Sequence, residues 1–164
     1  MLGLALEDIE EGLTADLGNY HFTRENILAF AQKYDPQPFH LSDEAGIAGP
    51  FGALSASGWH TAAGWMKCYV ASNEAARAKL EVLGNILPEV GPSPGFTNLK
   101  WLKPVFPGDV LSYRCTVTAK RDLSSRPQWG LVYSLNEGFN QHGELVFSFE
   151  GKVLTARRVP GAGL

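Results

Sequence analysis

From Gly91 onward the side chains switch to a period of two, and no other feature of this chain constrains its fold as strongly. After the turn signal Pro107-Gly108-Asp109, the residues Leu111, Tyr113, Cys115, Val117 and Ala119 alternate with Ser112, Arg114, Thr116 and Thr118. Trp129, Leu131, Tyr133 and Leu135 form a second alternating run, and Leu145, Phe147 and Phe149 begin a third that extends to Leu154. Phe96 to Leu102, between the Gly91-Pro-Ser-Pro-Gly95 loop and Lys103-Pro104, reads as a further strand. Successive side chains of a strand point to opposite faces, so alternation marks a sheet with one buried face. Turns as short as Asn140-Gln-His-Gly143 predict an antiparallel meander of consecutive strands.

The first half of the chain follows the helical period. Asn19 to Phe22 is a short extended entry, and Thr23 offers an N-cap hydroxyl. Ile27, Leu28, Ala31 and Tyr34 then recur at helical spacing over Arg24 to Lys33. Pro36 ends this helix, because the residue before a proline is pushed out of the α region. Ser42 or Asp43 caps a short turn of helix through Ala45 to Ile47, which Gly49-Pro50-Phe51-Gly52 breaks. A second long helix starts near Ser55 or Ser57 and runs toward Ser72, with Trp59, Ala62, Ala63, Met66 and Val70 as its apolar face. Its small residues, Ala56, Gly58, Ala62, Ala63 and Gly64, let it lie close against a sheet or let a ligand approach its backbone. Helices first and strands after make an α+β arrangement, with the long helix covering the apolar face of the sheet. No repeat or long linker divides the chain, so a single domain over 1–164, with its core at about 20–156, is expected.

Composition narrows the function classes. With 45% hydrophobic and 19% charged residues among 164, the chain holds enough apolar surface for a core. Net charge is −3, from 14 basic and 17 acidic residues, and no basic stripe points to nucleic acid. The N-terminal stretch turns acidic where a signal peptide needs a basic start, and no apolar run approaches the ~18 residues of a membrane span. A cytoplasmic protein with neither nucleic-acid nor membrane partners is expected. Cys68 and Cys115 lack metal-ligand spacing and read as reduced structural thiols; a catalytic thiol at Cys68 has no supporting neighbours in the sequence. No metal site, phosphate loop or nucleophile elbow is present as a motif.

The segment Tyr34-Asp-Pro-Gln-Pro-Phe-His40 carries the most chemistry. Fully extended, its spacing would hold Asp35 and His40 roughly 17 Å apart. Two prolines after a helix end favour a folded-back turn that brings both side chains to one cavity. A carboxylate beside an imidazole can hold a water molecule, take its proton and return one elsewhere. The bland alternative is a helix-terminal Asp followed by an ordinary turn His. Further along, Gly58 lies at the start of the second helix, where backbone amides lack intrahelical acceptors and sit at the positive end of the helix dipole. Such an amide suits a thioester carbonyl and the enolate formed from it; tight helix–sheet packing would explain the glycine equally well.

Asp35-Pro-Gln-Pro-Phe-His40, Asp43-Glu-Ala45, Phe51-Gly52, Ala56-Ser-Gly-Trp-His-Thr61 and Lys103-Pro-Val-Phe-Pro-Gly-Asp109 together resemble the MaoC-like dehydratase family, relatives of (R)-specific enoyl-CoA hydratases. The resemblance runs from about Thr23 to Leu154. It implies a hot-dog fold, an antiparallel sheet wrapped round a long central helix, in a homodimer or larger homo-oligomer. It implies that Asp35 and His40 activate water and that the Gly58 amide takes the carbonyl of a trans-2-enoyl thioester, interconverting it with the (R)-3-hydroxyacyl thioester. No metal or cofactor is then required, and CoA or an acyl carrier enters as part of the acyl thioester substrate. Ser57, Trp59, His60, Tyr34 and Gln37 are the neighbouring candidates for substrate contact. Tyr34 and Gln37 depart from the family pattern, which usually has Gly before the aspartate and Asn at the third position of the turn. A hot-dog acyl-CoA thioesterase and a non-catalytic acyl-CoA-binding module are the rival readings.

Overall fold

The structure, a computed structural model, describes residues 3–89 and 91–158; the ends of the expected 1–164 domain, residues 1–2 and 159–164, lie outside the described residues. Five strands form one antiparallel sheet: β1 (Thr14–His21), β2 (Gly95–Trp101), β3 (Val110–Asp122), β4 (Trp129–Phe139) and β5 (Leu145–Ala156). Their order across the sheet is β1-β3-β4-β5-β2. Three helices precede β2: α1 (Arg24–Tyr34), α2 (Asp43–Ile47) and α3 (Gly58–Val82). This is the α+β hot-dog arrangement, the sheet curling round α3.

The meander expected from the alternating runs holds for β3, β4 and β5 only. β2 does not pair with β3, its neighbour in sequence, but with β5, and so forms one edge of the sheet. Pro104 and Pro107 have no N–H to give to a hairpin ladder, and the link between the two strands instead crosses the end of the sheet. Along the way Val105 is buried and its carbonyl accepts from the Ala56 amide at 2.7 Å. Gly108 and Asp109 then clasp Phe22, with Gly108 N–H donating to Phe22 O and Phe22 N–H donating to Asp109 O, both at 2.8 Å. That crossing ties the end of β1 and the approach to α3 to a single loop. β1 is also longer than the Asn19–Phe22 entry expected, and it forms the second edge of the sheet.

α1 begins where the sequence places it, with Asn26 N–H donating to Thr23 Oγ1 at 3.2 Å. α3 departs from the reading in two ways. It continues to Val82 rather than stopping near Ser72. Ala, Glu, Lys, Leu and Arg fill this extension, all strong helix formers, and nothing interrupts them before Gly84, whose φ of +82° ends the helix. The buried face also differs: it is His60, Thr61, Gly64, Trp65 and Cys68, whereas Trp59, Met66 and Val70 are half exposed. Gly64 sets this orientation. A Cβ there would stand 2.9 Å from the Tyr113 hydroxyl and 3.2 Å from the Tyr20 ring. The close approach lets Tyr113, buried on β3, donate to Thr61 O at 2.8 Å. The core between α3 and the sheet is completed by Leu111, Tyr113, Phe147 and Phe149 together with Phe22 and Ile27.

Candidate active site

The end of α1 positions the carboxylate. Asp35 N–H closes the helix on Ala31 O at 2.9 Å, and Pro36 prevents a further turn. Gln37 N–H then donates to Asp35 O and His40 N–H to Gln37 O, winding Pro38–His40 into a single 3₁₀ turn. The folded-back path brings His40 Nε2 to 3.6 Å from Asp35 Oδ2, far inside the extended spacing. His40 is 4% exposed, while Asp35 keeps partial access to solvent.

The remaining bonds of the pair fix its chemical state. His40 Nδ1 lies 2.7 Å from Ser55 O. A carbonyl can only accept, so Nδ1 carries the proton, and in the neutral ring Nε2 presents its lone pair toward Asp35. Asp35 receives Ser57 Oγ–H on Oδ2 at 2.6 Å and Gln37 Nε2–H on Oδ1 at 2.9 Å. Partial burial works to raise the carboxyl, but the bonds from Ser57 and Gln37, together with the positive charge of His40 whenever that ring is protonated, outweigh it, so its pKa falls below the ordinary aspartate value. With the ring neutral, two acceptors, a carboxylate oxygen and an imidazole nitrogen, converge on one point. A water molecule, with two hydrogens to donate, matches them.

Ser57 joins this pair to the start of α3. As N-cap, its hydroxyl oxygen accepts from Trp59 N–H at 3.2 Å while its own proton goes to Asp35. Gly58 is the first helical residue, so its amide has no intrahelical acceptor and lies at the positive end of a 25-residue helix. The requirement for glycine itself comes from packing. A Cβ on Gly58 would meet the Trp101 ring at 2.6–2.7 Å, and Trp101 Nε1–H donates to Gly58 O at 2.8 Å. Both readings of Gly58 thus have a physical basis, close packing for the side-chain position and an open amide for chemistry.

The other expected contact residues divide. Ser57 and Gln37 touch Asp35 directly, so Gln37 keeps the amide donor in place despite its extra methylene. Tyr34 is 62% exposed and packs on Phe30 at 4.9 Å between ring centres, outside the bonds of the pair. Trp59 is half exposed, set edge-on against Trp101, and lines a cavity between α3 and the sheet. His60 is 3% exposed in an aromatic cluster, stacked on Phe30 at 4.6 Å with Nε2 3.2 Å from the Tyr20 hydroxyl. Burial lowers its pKa from 6.5 to about 4, so it stays neutral and structural. Cys68 and Cys115 are buried free thiols, and burial pushes both pKa values up, which leaves neither ready as a nucleophile. Sequence reasoning missed Ser55 and Trp101, because a backbone carbonyl and a distant strand residue leave no local mark.

Among protein-family models, the MaoC-like domain matches residues 11–130. The chain belongs to the MaoC-like dehydratase family. This MaoC-like domain is 37% identical to a MaoC-like dehydratase from Rhodospirillum rubrum, with a TM-score of 0.79 over 96% of this chain and 99% of that one. The unliganded R-hydratase PhaJ1 from Pseudomonas aeruginosa shares the fold, at 20% identity and a TM-score of 0.65 over 99% of this chain and 94% of that one. Over 81 residues the domain is 35% identical to mesaconyl-CoA hydratase from Cereibacter sphaeroides; the match covers 47% of this chain and 23% of that relative. It is 25% identical over 154 residues to the uncharacterized protein YdeM of Bacillus subtilis, covering 94% of this chain and all of the relative. Among the described residues no helix is long and apolar enough to cross a membrane.

Proposed function

We propose that this MaoC-like domain interconverts a trans-2-enoyl thioester and its (R)-3-hydroxyacyl counterpart. The observation that carries the reading is the convergence of Asp35 Oδ2 and His40 Nε2, 3.6 Å apart, beside the Gly58 amide at the start of α3. Water held between the two acceptors loses a proton to one of them as its oxygen attacks the β-carbon. The electron pair displaced from the double bond moves toward the thioester carbonyl, whose oxygen the Gly58 amide stabilises. The α-carbon then takes a proton, and elimination follows the same path in reverse. Water adds across the double bond with no net oxidation or reduction, so the reaction calls on no redox cofactor, and CoA or an acyl carrier arrives attached to the acyl group. A general acid–base group contributes about 10²–10⁴ in rate and an oxyanion donor ~2.7–4 kcal/mol. The similarity to mesaconyl-CoA hydratase supports hydration as the reaction class.

Homodimerisation is part of the same reading. β2 is an edge strand of the sheet, and Phe96, Trp101 and Leu102 with Trp59 and Met66 of α3 are each about half exposed. Apolar side chains gathered beside an open strand edge suit a second copy of the chain.

Crotonyl-CoA hydration tests the function. Asp35→Asn and His40→Ala are expected to lower kcat/KM by about 10²–10⁴ each with unchanged circular dichroism and melting cooperativity. Near-native rates in either variant refute the reading. Release of free thiol, detected by a thiol-trapping dye, would instead reveal a thioesterase, and thermal stabilisation by acyl-CoA without turnover a binding module.

A further inference from the structure

A cavity of about 210 Å³ lies between α3 and the sheet, with Trp59, the residue after Gly58, in its lining. Trp59, Trp65 and Tyr69 of α3 form one wall, and side chains of β3, β4 and β5 form the other. Most of these residues are apolar, and the polar members of the sheet wall are Ser134, Asn136 and Lys152. Cys115, Asn136 and Phe149 stand side by side on the three strands, and Val117, Ser134 and Gly151 form the next row. Asn136 is 1% exposed. Its Nδ2 donates to Ser134 Oγ at 3.0 Å, whereas its Oδ1 has no partner among the described residues. A buried amide oxygen left unpaired is uncommon and unfavourable, which marks this one as awaiting a donor.

Gly151 keeps the approach to the amide open. A Cβ there would stand 3.0 Å from Asn136 Nδ2 and 3.3 Å from Ser134 Oγ. The depth of the amide follows from its neighbours. Asn136 pairs with Phe149, whose ring meets Trp65 edge-on at 4.7 Å. Trp65 is two turns along α3 from Gly58, about 10 Å at the helical rise. Trp59, directly after Gly58, lines the near end of the same cavity.

We propose that this cavity receives the acyl chain and that Asn136, with Ser134, selects a chain bearing a hydroxyl group near its far end. The assignment rests on the Gly58 amide holding the thioester carbonyl. From there the chain passes Trp59 and reaches the level of Trp65. A hydroxyl suits both partners, donating to Asn136 Oδ1 and accepting from Ser134 Oγ. A methyl end leaves Oδ1 unpaired, and a carboxylate end offers it only another acceptor.

The test compares trans-2-octenoyl-CoA with its ω-hydroxy and ω-carboxy counterparts in hydration kinetics. Calorimetric binding of the corresponding saturated acyl-CoAs runs in parallel, on the native chain and on Asn136→Leu. The native chain is expected to favour the hydroxyl-bearing chain by roughly tenfold in both kcat/KM and Kd. Asn136→Leu is expected to lose that preference, read within the variant as the ratio of kcat/KM on the hydroxyl-bearing chain to that on the plain chain. Gly151→Ala, whose methyl would press on the Asn136 amide and the Ser134 hydroxyl without removing either, is expected to reduce it as well and serves if the leucine variant does not fold. Hydration of all three chains without a hydroxyl preference, or a preference for the carboxylate, overturns the cavity assignment and leaves the hydratase reading standing. Hydroxyl-selective binding that depends on Asn136, with no hydration of any chain, upholds the cavity assignment and overturns the hydratase reading.

Discussion

Replacing His60 by phenylalanine should make the fold resistant to mild acid. The imidazole is 3% exposed, stacked on Phe30 and edge-on to Phe22 and Tyr20, and its Nδ1 has no partner among the described residues. Burial lowers its pKa from 6.5 to about 4. In the unfolded chain the same histidine titrates near 6.5. The folded state therefore binds the proton more weakly, so stability is complete above pH 6.5 and falls as the pH drops. The loss is finished near pH 4, where both states are protonated. At about 1.4 kcal/mol per pKa unit, this one ring accounts for roughly 3–4 kcal/mol at most. Phenylalanine keeps the stack and cannot titrate. It leaves the half-buried Tyr20 hydroxyl without its ring partner, an offset that does not vary with acid. Urea unfolding of both proteins between about pH 7.5 and about pH 4 gives the comparison, and carboxylates such as Asp35 cancel in the difference. The stability gap should move in favour of His60→Phe as the pH falls. Curves that stay parallel throughout would refute the assignment of a buried neutral imidazole.

Three further outcomes follow from the site. Ser57→Ala removes both a helix cap and a hydrogen bond to Asp35, so unfolding free energy should drop by about 1–2 kcal/mol. The acid limb of its kcat/KM profile should also move to higher pH as the carboxyl returns toward its ordinary value, and Ser57→Thr should restore both. Gly58→Ala drives a methyl into the Trp101 ring, and it should lower thermal stability together with kcat, whereas Ala63→Gly on the exposed side of α3 should lower stability through helix propensity alone and leave kcat unchanged. Phe96→Lys combined with Leu102→Lys should convert a dimer into a monomer in light scattering; an unchanged mass would place the interface elsewhere.

Which parts of this structure the sequence disclosed follows from how local each cause is. The alternating runs, the Thr23 cap and the proline stop after Asp35 act within a few residues, and the elements they predict are present. The Asp35–His40 approach was legible for the same reason, since both residues belong to one proline-stiffened turn. The placement of β2 was not, because sequence adjacency suggested β3 while the proline-bearing link led the strand to β5. The buried face of α3 was misassigned because hydropathy favours Trp59, Met66 and Val70. The face that meets the sheet is chosen instead by the clearance at Gly64, a property of Tyr20 and Tyr113 far away in sequence. The ties from Ser55, Ser57 and Trp101 that hold the site depend on three separate segments meeting, and only the assembled fold brings them together.

The hydroxyl of Ser57 accepts from a helix amide and donates to the candidate base, which makes it a relay of aligned dipoles from the helix start to Asp35. The orientation of the base and the integrity of the first turn of α3 are then one property. Fraying of that turn would release the carboxylate before the protein unfolds, so heating should extinguish turnover ahead of the global melt. A more stable helix start would, by the same coupling, retune the acidity of the base, and keeping both properties at this position requires a side chain that can both give and take a hydrogen bond.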